Sequence, residues 1–528
     1  MTQPPAEIIV GVDVGTTATK VVAFGLGTAW RRMAIREYPL LEPAPGLQVQ
    51  NPDAIIVAVV AALAEVVAAA PGARVAGVSV SAAMHGLLAV DDTGTPLTPV
   101  ITWADARSSA EAAALHADGT ATLLHRQTGT PVHPMTPQTK LMWFSRHEPL
   151  LAVRARWWAG LKDYVLYRLT GRLVAELSSA SATGLLDMAT RQWSPMAAEL
   201  AGVRLDQLPP IVATTAVLPL ARQIAAQTGL PPGTPVVAGA ADGPLGNLGT
   251  AAVSPGVAGL SLGTSGAIRA VVPEPAVDDA GHLFCYALTD VDWVIGGAVS
   301  NGGIVARWAG EIFGATSDTD VMSLAAAVPP GSDGLIMLPY LLAERAPLWD
   351  PAIPGAFLGV RRHHARGHFV RAAVEGVCLQ MSTILAHLDL IVPVHEVRAT
   401  GGTLRAALWR EAMAAAVNRP LLVTASAEGT ALGAAALGLY ALGRSPTLFD
   451  AADALVTPGE RAATPVTVAP ELAATFDRMR ARVPELLRAY QAVSALFEGP
   501  QVSSRRTTTD GDRLRSDGIT DGVAELSG

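Results

Sequence analysis

In the run GVDVGTTATKVVAF, Gly11 to Phe24, a carboxylate stands where a strand should be apolar. Asp13 precedes a Gly15-Thr16-Thr17 turn and Lys20 follows it, so an acid, two hydroxyls and a base share one tight hairpin. Backbone N–H groups and hydroxyls at such a turn suit phosphate oxygens. A carboxylate beside phosphate is repelled unless a divalent cation lies between, so Asp13 points to a Mg²⁺–phosphate complex. For a hairpin standing alone, an Asp bonded to its own turn is the simpler account. Lys20 reads either as a countercharge or as a solvated side chain. The hairpin has an echo, however. GLSLGTSGAIRAV begins at Gly259, 248 residues after Gly11, with Gly263, Thr264, Ser265 and Gly266 at its turn. Two such hairpins face to face would hold a polyphosphate from both sides.

Two more segments can do chemistry. In VVAGAADGPLGNLG, Asp242 follows a Gly/Ala-rich strand end, where ligand crevices of α/β sheets form. There it can take a proton from an attacking hydroxyl or cap the next helix; the local sequence leaves both open. In VRATGGTLRAALWREAMAAAVNRPL, the pair Gly401-Gly402 separates a strand from a long helix. Such a pair admits a flat ligand such as adenosine, or simply permits tight packing.

These residues need elements to hold them. Runs such as IIVGVDV, VAGVSVS, TPVVAGA, VAGLSLG and GLIMLPY alternate with Ala/Leu-rich stretches, which predicts an α/β architecture. The echo predicts two similar domains, residues 1–252 and 253–497, with the boundary near Asn247–Gly256. From Glu498 the chain turns polar and aperiodic, and residues 498–528 read as a disordered tail. Half of the 528 residues are apolar, only 16% are charged and the net charge is −8, which argues against nucleic-acid binding. Cys285 and Cys378 stand far apart without metal-site spacing and suit a reducing compartment. The most membrane-like run, Ala54–Ala70, is short for a span and contains Glu65; Asn51-Pro52-Asp53 opens it as a capped helix. A cytoplasmic enzyme without membrane contact is the expectation.

Together the paired Asp-Gly-Thr and Gly-Thr-Ser turns and the Gly-Gly turn resemble the actin/hexokinase/Hsp70 ATPase superfamily. Within it, MTPQTKLMWFSRH, with Pro137, Lys140 and Trp143, is similar to the first signature of the FGGY carbohydrate kinases. GAFLGVRRHHARGHFVRAAVE, with Gly355, Gly359, Ala372 and Glu375, is similar to the second. The resemblance implies two ribonuclease-H-like domains flanking an active-site cleft, with ATP and Mg²⁺ as cofactors. Carried over position by position, it makes Asp13, Gly15, Thr16, Thr17 and Lys20 the first phosphate and metal loop, with Asp13 on the metal. Gly263, Thr264, Ser265 and Gly266 become the second loop, and Gly401, Gly402 and Asn418 the adenosine region. Asp242 becomes the general base. Met84 and His85 of the Met-His-Gly turn, Trp103, Asp105 and Arg107 of TWADARS, and Lys162 and Asp163 become sugar contacts.

TWADARS and AERAPLWDP look most like the gluconokinase branch, although Ala343 stands where that branch has Gly. D-Gluconate is therefore the expected substrate, with xylulose or another pentulose or polyol as the alternative. An acid sugar calls for a cation such as Arg107, Lys162 or Arg345 at its carboxylate, Arg107 first. Chaperones and filament formers of the superfamily would lack the Met-His-Gly and TWADAR elements. A sugar-binding regulator would be expected to have lost Asp13 or Asp242. A homodimer is compatible with the resemblance, and no sequence feature sets the oligomeric state.

Overall fold

The computed structural model describes residues 5–424, 429–457 and 465–497. The segment expected to be a disordered tail lies outside the described residues.

Two six-stranded sheets organise the chain. The first contains β1 (Glu7–Val14), β2 (Ala18–Gly25), β3 (Arg31–Glu37), β4 (Arg74–Ala82), β5 (Val217–Pro219) and β6 (Pro235–Val237), in the order β5-β6-β4-β1-β2-β3. The second contains β7 (Val257–Leu262), β8 (Gly266–Val272), β9 (Phe284–Ala287), β10 (Trp293–Val299), β11 (Glu396–Thr400) and β12 (Leu421–Val423), in the order β9-β10-β8-β7-β11-β12. Each is built around an antiparallel hairpin, β1–β2 or β7–β8, whose first strand also runs parallel to a later one, β4 or β11. Superposing the orders pairs β3, β2, β1, β4 and β6 with β10, β8, β7, β11 and β12. The echo in the sequence is a duplicated fold: two ribonuclease-H-like domains of the actin-like ATPase type. Only β5 and β9 lack a counterpart. The run GLIMLPY joins neither sheet; Ile336–Leu338 pairs with Ala356–Leu358 in a separate ribbon.

Burial explains the apolar strands. β1 packs on both faces, so Ile8, Ile9, Val10, Val12 and Val14 are all solvent-excluded. The helix Pro52–Ala68 begins as expected, with the Asn51 side chain accepting from the N–H groups of Asp53 and Ala54. The helix Arg366–Asp389 is long and apolar enough to cross a membrane by composition, but here it fills the second domain's core. Between the sheets the helices Asp242–Gly249 and Gly429–Ala441 cross at contact distance. A side chain on Gly433 would place its Cβ 1.9 Å from the Leu245 carbonyl oxygen. The later helix packs on β1 and β4, although it belongs to the chain's second half. One apolar cluster joins Ile9, Val22 and Phe24 to Leu245, Leu248 and Leu432. The crossing pair thus forms the floor of the space between the two hairpins.

Candidate active site

A cavity of about 1200 Å³ opens between the domains. Asp13 and Lys20 line it from the first hairpin, Ser265 from the second, Asp242 from the crossing helix, and Gly401 and Gly402 from the turn after β11. A second space of about 450 Å³ meets it at Gly402 and is lined by Gly263, Thr264, Gly303 and Arg307. The sequence motifs, spread over some four hundred residues, thus converge on one cleft.

Asp13 and Lys20 stand opposite each other across β1 and β2. Desolvation and the nearby Asp242 carboxylate push the Asp13 pKa up to about 7, while Lys20 pulls it down. Two carboxylates held together at a cavity wall favour a cation between or beside them. Among the described residues no group of three or more His, Cys, Asp or Glu side chains could hold a metal. That donor set fits Mg²⁺, which keeps waters and is bound through one or two carboxylates plus substrate phosphate. The Gly15-Thr16-Thr17 turn does not line the large cavity. Thr16 is tied down by Trp103, whose Nε1 donates to the Thr16 hydroxyl at 3.0 Å, and by the Gln50 amide on its carbonyl.

The two glycines after β11 differ in purpose. Gly401 has φ 126°, and a Cβ there would sit 2.0 Å from the Leu262 carbonyl oxygen, so this position closes on β7 and admits only glycine. Gly402 faces open space and borders both cavities. Gly266 belongs to β8 and serves strand pairing. Asn418 corrects the sequence reading. It is exposed, outside both cavities, and ends the helix Ala407–Val417 at φ 52°. That helix is about 16 Å long, so its far end cannot share a nucleoside with Gly402. Asn is there because it tolerates the left-handed C-cap.

Asp242 is the first residue of its helix, and Ala241 is the cap. Its Oδ1 accepts from the N–H of Gly243 at 2.9 Å and of Met84 at 3.3 Å. Burial raises its pKa; Arg269 and those hydrogen bonds pull it back. A carboxylate with a raised pKa at the wall of a cleft is placed to take a proton.

Around it lie the expected sugar contacts. His85 adopts φ 64°, unusual for a side-chain-bearing residue, and its Nδ1 lies 2.8 Å from the Ala182 carbonyl oxygen. Burial and the Lys140 charge hold the imidazole pKa down to about 3, so the ring is neutral, Nδ1 carries the proton and Nε2 accepts. The signature residue Lys140 is buried and donates to three carbonyls, of His85, Thr102 and Met135. It pins the Met-His-Gly turn to TWADARS. The other signature's Glu375 likewise works inside the protein, on Arg371, Gly331 and Ser332.

Two predicted cations are already spent. Arg107 makes a bidentate contact with Asp105 at 2.7 and 2.8 Å, and its guanidinium lies 5.0 Å over the Trp143 ring. Lys162 is buried against Glu176 at 3.1 Å. Beside it Asp163 caps Gly160, and burial pushes its pKa up to about 7. None of Met84, His85, Trp103, Asp105, Arg107, Lys162 and Asp163 lines the cavity; the Met84 N–H reaches it through Asp242. Sequence reasoning missed Arg269, which does line it. The available signal was a lone arginine in the apolar strand GAIRAVV, the same kind of anomaly as Asp13.

Residues 8–249 match the FGGY family of carbohydrate kinases, N-terminal domain, and residues 258–442 match its C-terminal domain. The chain belongs to the FGGY carbohydrate kinases. It is an enzyme, a phosphotransferase with an alcohol group as acceptor and ATP as the implied donor. It is 39% identical to a gluconokinase of Bacillus subtilis (strain 168), over 85% of this chain and 90% of that one. A xylulose kinase of the same strain is 30% identical over 85% of this chain and 91% of its own. Among solved structures, gluconate kinase from Lactobacillus acidophilus matches with a TM-score of 0.88 and 32% identity, covering 93% of this chain and 99% of that one.

Proposed function

We propose that this FGGY kinase is a cytoplasmic, Mg²⁺- and ATP-dependent gluconokinase that converts D-gluconate to 6-phosphogluconate. The observation that carries the kinase chemistry is the convergence of Asp13, Ser265, Asp242 and Gly402 on one cavity. The substrate reading rests on the higher identity to the gluconokinase than to the xylulose kinase over the same share of this chain.

Asp242 takes the proton from the terminal hydroxyl of the sugar acid. The freed oxygen attacks the γ-phosphorus, the bond to the β-phosphate oxygen breaks, and ADP leaves. Asp13 would hold Mg²⁺, which when bound neutralises phosphate charge. The backbone and hydroxyls of the Gly263–Ser265 turn meet the polyphosphate from the other side, and the Gly402 end of the cavity receives the nucleoside. Neutral His85 offers Nε2 to a sugar hydroxyl. Positioning and electrostatics supply most of the rate, as for phosphoryl transfer generally.

The test is ADP release with gluconate, xylulose, ribulose, glycerol and erythritol as acceptors. Gluconate should give the highest kcat/KM. Faster turnover of xylulose would assign a pentulose kinase, the second reading, which the 30% identical xylulose kinase supports. No turnover of any acceptor would favour a sugar-binding regulator.

A further inference from the structure

An acid substrate brings a negative charge that the enzyme must meet, and two of the three cations expected from sequence, Arg107 and Lys162, are neutralised within the first domain. The unspent positive charge lies on the other side of Asp242. Among the described residues, neither Arg269 nor Arg345 has a carboxylate within 4 Å. Arg269, on β8, borders the cavity beside Asp242 and packs on Gly243 at the start of the crossing helix. Its Nε is solvent-excluded and has no hydrogen-bond partner. Tyr286, on β9, is fully buried, and its hydroxyl is likewise unpartnered. Arg345 donates from Nε to Ser300 and from a terminal nitrogen to the Val299 carbonyl, with its guanidinium 5.0 Å over the Trp103 ring. Both arginines and Tyr286 interact electrostatically with one another, and both arginines with Asp242.

Arg269, at the cavity wall, and Arg345, which does not line it, both act on Asp242, while the neighbouring carboxylate Asp13 stands opposite Lys20 across its hairpin. Glu344, next to Arg345, is turned toward Asn301 and Gln380, and burial pushes its pKa up to about 8, so it contributes little negative charge near neutrality. His85, whose ring lies edge-on to Tyr286, is neutral. Arg269 thus has no carboxylate of its own, and its Nε and the Tyr286 hydroxyl stand unmatched in a low-dielectric setting, where an unpaired group is costly. A substrate with a single carboxylate would satisfy both.

We propose that Arg269, Arg345 and the Tyr286 hydroxyl form the subsite for the substrate's carboxylate, with Arg269 as the specificity-determining residue. This inference rests on the gluconokinase reading. It also accounts for β9, the strand without a counterpart in the first sheet: it carries Tyr286 to the domain interface, where Cys285 N–H donates to the Gly129 carbonyl and Ala287 N–H to the Ser181 hydroxyl.

The experiment measures dissociation constants of gluconate and of sorbitol, its uncharged analogue, with a non-hydrolysable ATP analogue present. The unmutated enzyme should bind gluconate about tenfold to a hundredfold more tightly, the range for a charge-assisted hydrogen bond. Arg269→Met should erase most of that ratio, and Arg269→Lys, which keeps the charge, should restore part of it. Tyr286→Phe, which removes one atom, should lower the ratio severalfold and serves if the Arg269→Met protein does not fold. Folded variants that keep the unmutated ratio overturn the subsite. So does an Arg269→Met enzyme whose kcat falls equally with gluconate and xylulose while the binding ratio stays, since Arg269 would then act only through Asp242. An unmutated enzyme that prefers xylulose overturns the gluconokinase reading itself, and that result is visible before any variant is made.

Discussion

The two hairpins share a backbone but not a charge. Aligned strand for strand, Asp13 of β1 corresponds to Ser261 of β7, and the cross-strand partner Lys20 of Asp13 corresponds to Ala267. Both hairpins border the cleft, the first through Asp13 and Lys20 and the second through Ser261 and Ser265, yet only the first brings a carboxylate and an ammonium to it. The duplication therefore supplies the geometry twice, and the side chains place the acid–base pair in one half and neutral groups in the other. Among the arginines and lysines set near the expected sugar contacts, Arg107 and Lys162 of the first domain are bound to its own carboxylates, while Arg269 of the second borders the cleft.

The comparison can be broken at its centre by Asp242→Asn. Loss of the base should lower kcat by about 10² or more while ATP still binds, measured by steady-state kinetics and nucleotide titration. Near-normal turnover would remove Asp242 from the reaction.

Asp13→Ser makes the first hairpin resemble the second. It should lower kcat/KM by roughly tenfold to a hundredfold and raise the Mg²⁺ needed for half-maximal activity. Its effect on stability should have the opposite sign. The folded-state pKa of Asp13 is about 7 against an ordinary 3.8, so the stability this group contributes is fully present below pH 3.8 and is lost as pH rises through about 7. In Mg²⁺-free buffer the variant should therefore melt higher than the unmutated enzyme at pH 8, with the gap closing toward pH 4. An enzyme equally stable in both forms at pH 8 would mean that Asp13 carries no desolvation cost.

The smallest effect is expected from Asn418→Gly, which keeps the left-handed C-cap and removes the side chain. Stability should change by less than about 0.5 kcal/mol and the KM for ATP should not move. A marked rise in that KM would return Asn418 to the nucleotide site.

Much of the protein was readable without coordinates. Local pattern fixes what local forces fix: the apolar runs that become buried strands, the Asn51-Pro52 helix start, the Gly-Thr turns and, through their repetition, the duplicated fold. Asp13 and Asp242 were legible because a carboxylate in an apolar run is costly unless it has a use. The signatures were legible as identities but not as roles. Lys140 is a signature residue in sequence, and only the fold shows what it does, donating to three backbone carbonyls.

What the tertiary structure alone decided is which charges are spent and which remain. Arg107, Lys162 and Arg269 are each a single basic letter in the sequence. Their difference depends on the partners that packing brings: Asp105 and the Trp143 ring for the first, Glu176 for the second, and for the third a cavity wall beside Asp242. Asn418 is the converse case, in the same sequence segment as the Gly401-Gly402 turn but separated from it by the length of a helix. Secondary structure follows from short-range sterics and hydrophobic periodicity, which a window of residues contains. Charge pairing falls off over a few ångströms, and neighbours at that distance come from segments whose meeting only the folded chain specifies.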